Sequence, residues 1–370
     1  MKRHNADNER VKRRYVQFLE EAEGYSEAST DQVLVALDHY EAYTRRKPFK
    51  AFHIEQAIGF KRDLMAQVNP RTGKPLSKAT INSRLNACRK FFLWLAGQPG
   101  YRQRISYSDA NYFRLTDKDV RVARTHGERP FPSLEQVHHV LGVMPAETDI
   151  QKRDRALIAF LVLTGVRDGA LASLKLKHVD LKARKVVQDA REVATKFSKT
   201  FTTTFFPVGG DALVIFEDWF GHLQTGLLFG LDDPLFPATA MGQDDNRHFV
   251  ATGLKREHWS NAGPIRRIVG DAFEAAGLPR FHPHGFSKTI AQLGERRCRT
   301  PEEFKAWSQN MGHDHVMTTF RSYGTVAPDR QAEIIGELEV QDSTVSFRDG
   351  EPDAETVKWV VKHVLRTHKA

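Results

Sequence analysis

Five side chains in one chain order, Arg167, Lys199, His284, His313 and Tyr323, carry most of the chemistry this sequence offers. A guanidinium, an ammonium, two imidazoles and a phenol, without a cluster in metal-ligand spacing, suit cleavage and rejoining of a phosphodiester without a cofactor. Arg167 follows Thr164-Gly165-Val166 at the end of an apolar run, where a glycine stops a helix and turns the next side chain outward. Its planar fork can hold two non-bridging phosphate oxygens at once. Lys199 precedes a strand ending at Phe206-Pro207, and Lys196 is the alternative if that hairpin is longer. His284 stands in His282-Pro283-His284-Gly285-Phe286-Ser287-Lys288, and Gly312-His313 is followed by Tyr323 with no neighbouring tyrosine to compete. Each residue has an ordinary alternative: a helix-capping arginine, a solvated hairpin lysine, histidines at helix ends. His282-x-His284 with His313-x-His315 could also form a four-histidine metal site, but no cysteine or carboxylate ligands accompany them, so no metal is expected.

In this order, over most of residues 11–330, these contexts resemble the phage integrase family of tyrosine recombinases. The resemblance implies that Arg167, His284 and His313 stabilise the phosphate and that Lys199 protonates the leaving 5′ oxygen. It also implies that Tyr323 forms a 3′-phosphotyrosyl link, with no cofactor. Double-stranded DNA is the implied partner, bound by a homotetramer on two sites. Three departures stand out. Ala170 replaces the acidic residue usual three positions after the arginine, with Asp168 as a nearby substitute. Ser287 stands where a second arginine is expected, and Lys288 beside it is turned about 100° away on a helix. Tyr323 follows His313 by ten residues rather than about nine. The expected function is therefore a site-specific recombinase or integrase, made slow or conditional by Ser287. The alternatives are a DNA-binding relative with impaired cleavage and a type IB topoisomerase-like enzyme.

The elements that must position these residues read as mostly helical with a small sheet. Periodicity predicts helices over 11–22, 31–45, 53–68 and 77–96, with Ser29-Thr30-Asp31 capping the second. In the last, Ile81, Leu85, Cys88, Phe92 and Leu95 form one apolar stripe. Beyond Pro130 the pattern predicts a capped helix from Ser133 to about Val143 and a core helix over 156–166. It also predicts strands over 186–190 and 201–208, and helices over 212–223, 263–276, 286–295 and 301–311. The expected domains are a tail at 1–10, a helical unit at 11–103, a linker at 104–128, a mixed unit at 129–335 and a tail at 336–370 with a short helix. By the resemblance, the first of these units is a SAM-like core-binding domain and the second carries the catalysis.

Composition fits an ordinary globular chain of 370 residues, 40% hydrophobic and 27% charged. The net charge of +9 is uneven: residues 1–127 hold 24 Lys/Arg against 14 Asp/Glu, and the remainder holds 31 against 32. No acidic residue lies between Leu64 and Ser108, whereas Arg71, Lys74, Lys78, Arg84, Arg89 and Lys90 do, a stretch suited to a polyanion or to a solvated face. Cys88 and Cys298 lack metal-site spacing and read as reduced. No apolar run approaches the roughly 18 residues of a membrane span, so no membrane partner is expected and a cytoplasmic, nucleoid-associated setting is.

Overall fold

The computed structural model describes residues 4–70, 72–124, 130–195, 199–244 and 246–313. The chain divides into two compact units, Met1–Arg129 and Pro130–Ala370. Among the described residues no helix is long and apolar enough to cross a membrane.

The first unit is helical: α1 (Ala6–Glu21), α2 (Glu27–Tyr43), α3 (Ile54–Ala66), α4 (Lys78–Ala96), a 3-10 segment (Tyr107–Phe113) and α5 (Asp117–Arg124). Helix α4 begins where Ser77 accepts the Thr80 N–H, and its stripe of Ile81, Leu85, Cys88, Phe92 and Leu95 is buried, with Phe91 beside it. Edge-on aromatic packing joins the helices, with Tyr40 at 5.3 Å from both Phe60 and Phe92 and at 5.6 Å from Phe113.

Three expectations change here. Residues 6–10 are helix rather than tail, because Asn5 caps α1 by accepting the N–H groups of Asp7 and Asn8. Helix α2 starts after Ser26 instead of at the Ser29-Thr30-Asp31 cluster, and Thr30 turns its hydroxyl back to the Glu27 carbonyl at 2.8 Å. The segment expected as a linker is folded onto the unit: Ala110, Phe113 and Leu115 are buried, and Asp119 of α5 pairs with Lys78 at 2.9 Å. Its weak periodicity reflects how few of its residues point inward.

The second unit is built around α7 (Asp149–Thr164), whose residues 156–163 are all buried. A helix apolar all round is a core helix. Capping boxes start α6 (Leu134–Val143) at Ser133/Gln136 and α7 at Thr148/Gln151. A one-turn helix α8 (Asp168–Leu171) follows α7. Strands β1 (Val179–Asp180), β2 (Lys185–Gln188) and β3 (Phe201–Thr204) form an antiparallel sheet in that order, with Gln188 opposite Phe201 and Val186 opposite Thr203. Then come α9 (Ala212–Gly221), a hairpin of β4 (Ala238–Gln243) and β5 (Phe249–Lys255), and helices α10 (Gly263–Ala275), α11 (His284–Arg297) and α12 (Pro301–Asn310). The β4–β5 hairpin was not expected, since its exposed strands lack a clean alternation.

Candidate active site

Helix α7 stops where Gly165 takes φ +63 and returns its N–H to the Leu161 carbonyl at 2.8 Å. A side chain at Gly165 would strain the left-handed backbone and press on Ile290, whose Cδ1 lies 3.0 Å from the Cβ position. Val166 is then buried, and Arg167, extended and half-buried, enters a cleft of about 40 Å³. That space holds only a few water-sized groups.

The cleft is lined by Arg167 from the α7–α8 turn, Gln188, Phe201 and Thr203 from the sheet, His284, Ser287 and Lys288 from α11, and Met311 and His313 after α12. Five of the sequence-proposed positions, Arg167, His284, Ser287, Lys288 and His313, thus converge across 147 residues of chain. Lys199 joins them through the backbone: its Nζ donates to the Gly312 carbonyl at 3.1 Å and lies 5.8 Å from the Phe201 ring centre. Gly312 has φ +76, and a Cβ there would stand 2.6 Å from the Phe201 ring, so glycine permits this close approach. Tyr323, Lys196 and Arg71 lie outside the described residues.

Ser287 donates its hydroxyl to the Gly165 carbonyl at 3.0 Å, tying α11 to the turn that presents Arg167. Lys288, expected to point away, also lines the cleft, with its Nζ 5.5 Å from the centre of the Phe131 ring. A four-carbon side chain offsets the 100° turn between neighbouring helix positions. Asp168 does not serve Arg167: its carboxylate is engaged with Arg266 Nε at 2.6 Å. At position 170, alanine is buried. Among the described residues, no carboxylate forms an ion pair with Arg167.

His284 is held below the usual imidazole pKa, first by partial desolvation, then by the positive charge of Arg167 and by His282 and Lys288, with Asp168 opposing. That direction favours the uncharged ring, which can donate from one nitrogen and accept at the other. No group of three or more metal-ligating side chains converges among the described residues, and His315 lies outside them. Sequence reasoning missed Gln188, Phe201 and Thr203, whose places in the cleft depend on strand pairing and carry no local signal.

The proposed DNA-contacting cations belong to the first unit. Lys74 and Lys90 are exposed, while Lys78 pairs with Asp119. Arg89 donates twice to the Asn111 amide oxygen, at 3.2 and 3.1 Å, and Arg84 reaches Gln67 at 3.5 Å. Lys90 contacts the Tyr25 hydroxyl at 2.9 Å.

No family profile matches the chain. It is similar to tyrosine recombinase XerC of Bacillus pumilus (strain SAFR-032), 20% identical over 314 residues, covering 85% of this chain and 91% of the relative. With tyrosine recombinase XerC of Xylella fastidiosa (strain 9a5c) it shares 27% identity over 275 residues, covering 73% and 79%. Among solved structures, a lambda integrase (75-356) dimer bound to a COC′ core site aligns with a TM-score of 0.59 at 12% identity, over 93% of this chain and 99% of that one. The XerH site-specific recombinase bound to palindromic difH aligns with a TM-score of 0.57 at 16% identity, over 87% and 83%. These structural likenesses show the fold.

Proposed function

We propose that the chain is a member of the tyrosine recombinase (phage integrase) family, to whose XerC members it is similar, and that it cleaves and rejoins double-stranded DNA at a specific site. The observation that carries this reading is the convergence of Arg167, His284 and His313 on one small cleft, with Lys199 anchored beside it. In the proposed reaction the Tyr323 hydroxyl gives up its proton to solvent as its oxygen attacks the scissile phosphorus, and the bond to the 5′ oxygen breaks. Lys199 delivers a proton to that leaving oxygen, giving a 3′-phosphotyrosyl link and a free 5′ hydroxyl. Attack by a 5′ hydroxyl of another strand reverses the step, so the link conserves the bond energy and the chemistry calls for neither ATP nor metal. Arg167 and the histidines act by holding the charge that develops on the phosphate, where most catalysis of phosphoryl transfer resides.

The first unit, with its excess of cations, would supply backbone contacts to the duplex. A homotetramer would bring two sites together. Ser287, with one neutral hydroxyl already bonded to Gly165, favours as the second reading a DNA-binding relative whose cleavage is slow. A relaxing enzyme acting as a monomer would show itself by changing the supercoiling of a one-site plasmid without joining two sites.

The test is to incubate the protein with genomic DNA from its own source, denature it rapidly, and sequence the DNA ends that remain covalently attached. We expect ends clustered at one site for the wild type and none for Tyr323→Phe. An adduct that persists in that variant places the nucleophile elsewhere, and no adduct in the wild type supports the binding reading.

A further inference from the structure

We propose that Asn310 is a positioning residue that clasps the Lys199 hairpin to the Gly312–His313 turn, so that the proton donor and the phosphate-binding histidine address the same phosphate. The inference rests on the reading of the cleft given above. Asn310 is the last residue of α12, and its side-chain amide behaves as a strand residue would. Its Oδ1 accepts the Thr204 N–H at 2.7 Å, and its Nδ2 donates to the Thr204 carbonyl at 2.8 Å. The main-chain carbonyl of Asn310 also accepts from Thr203 Oγ1 at 3.1 Å. Thr203 and Thr204 lie in β3, the outer strand of the three-stranded sheet, whose other side pairs with β2. Asn310 thus occupies backbone groups that an edge strand would otherwise present to solvent.

The clasp continues at its far end, where Lys199 Nζ bonds to the Gly312 carbonyl and Phe201 packs beneath Gly312. Lys199 stands five residues before Thr204, and His313 three residues after Asn310. Short spans of chain therefore carry the clasp to both chemical groups. Only an amide can serve Thr204 in this way, since donor and acceptor must sit side by side on one short side chain. A carboxylate would place an anion against the Thr204 carbonyl, and leucine would keep the volume while losing both bonds.

A structural brace and a positioning residue are separated by changing one atom of the substrate. Two synthetic duplexes of the site recovered by end sequencing would be compared, one with the natural 5′-bridging oxygen and one with sulfur in its place. A thiolate leaves without being protonated, so a defect in the proton donor vanishes on the sulfur duplex while other defects remain. For Asn310→Leu we expect adduct formation to fall on the order of 10²-fold on the natural duplex. On the sulfur duplex it should return to within a few-fold of wild type, with Lys199→Ala behaving alike. Asn310→Asp should fall between. Thermal melting of each variant would establish that it is folded. No loss, or an equal loss on both duplexes in a folded variant, overturns the positioning role. A Lys199→Ala defect that sulfur does not repair removes the proton donor from the scheme, and this inference with it. Absence of any Tyr323-dependent adduct in the wild type is a different result, and overturns the function proposed for the cleft itself.

Discussion

Ser287 is a tether: its hydroxyl is committed to the Gly165 carbonyl at 3.0 Å, on the turn that aims Arg167. The second permanent cation of the cleft comes instead from the next residue, Lys288, which shares its lining with Arg167, His284 and His313. Opposite Phe131 the ammonium has a weak cation–π contact to give up, on the order of 0.5–1 kcal/mol at an exposed site. A charge-assisted bond to phosphate is worth about 1.5–3 kcal/mol, so the exchange favours the phosphate. Lys288→Ala is therefore expected to slow adduct formation about 10- to 10²-fold. Ser287→Arg, which must break the tie to Gly165, should gain little. The check is to repeat both on a duplex whose scissile phosphate is an uncharged methylphosphonate, where the Lys288→Ala deficit should shrink. A large gain from Ser287→Arg on natural DNA would instead mean that the cleft lacks a cation.

At the level of elements, α7 organises the second unit from both ends. Its C-terminus presents Arg167, and near its start Arg153 is buried to 2% exposure. Arg153 Nη1 donates to the Pro237 carbonyl at 3.0 Å and to Thr239 Oγ1 at 2.9 Å, its Nη2 pairs with Asp154 at 2.7 Å, and the guanidinium lies 5.0 Å from the Trp259 ring centre. One side chain thereby holds the β4–β5 hairpin and the segment before α10 against the core helix. Burial pushes the Asp154 carboxyl up, with Arg153 opposing that shift. Arg153→Ala would leave acceptors unpaired and a void, and is expected to destabilise the unit by about 3 kcal/mol, read from urea unfolding followed by tryptophan fluorescence. An unchanged midpoint would show that the hairpin is held by other contacts.

Across the whole molecule, charge is divided as labour would be. Residues 1–127 carry 24 cations against 14 anions, while the remainder is near balance at 31 against 32. Arg84 and Arg89 are held by the uncharged partners Gln67 and Asn111, so these contacts orient the guanidinium groups without neutralising them. Lys78 differs, since Asp119 offsets it. Charge reversal at Arg84 and Arg89 is expected to flatten the dependence of log K on log salt by about 0.9 for each lost phosphate contact. The same slope in a folded variant would remove α4 from the interface. Lys78→Gln should change it less than either arginine.

What could be read from the sequence alone was whatever contiguous residues decide. The α4 stripe, the Ser133 and Thr164-Gly165 helix boundaries, and the order of Arg167, Lys199, His284 and His313 all follow from spacing and caps. What only the tertiary structure decided was the choice of partners. Polar weakly periodic sequence became folded at 107–124 because a few inward residues found the core of the first unit. Asp168 chose Arg266, 98 residues away, over its neighbour Arg167; Ser287 reached Gly165 across 122 residues; Asn310 met β3 across 106. A hydrogen bond is short and directional, so its partner is set by which surfaces pack together, and that information is spread over the whole chain.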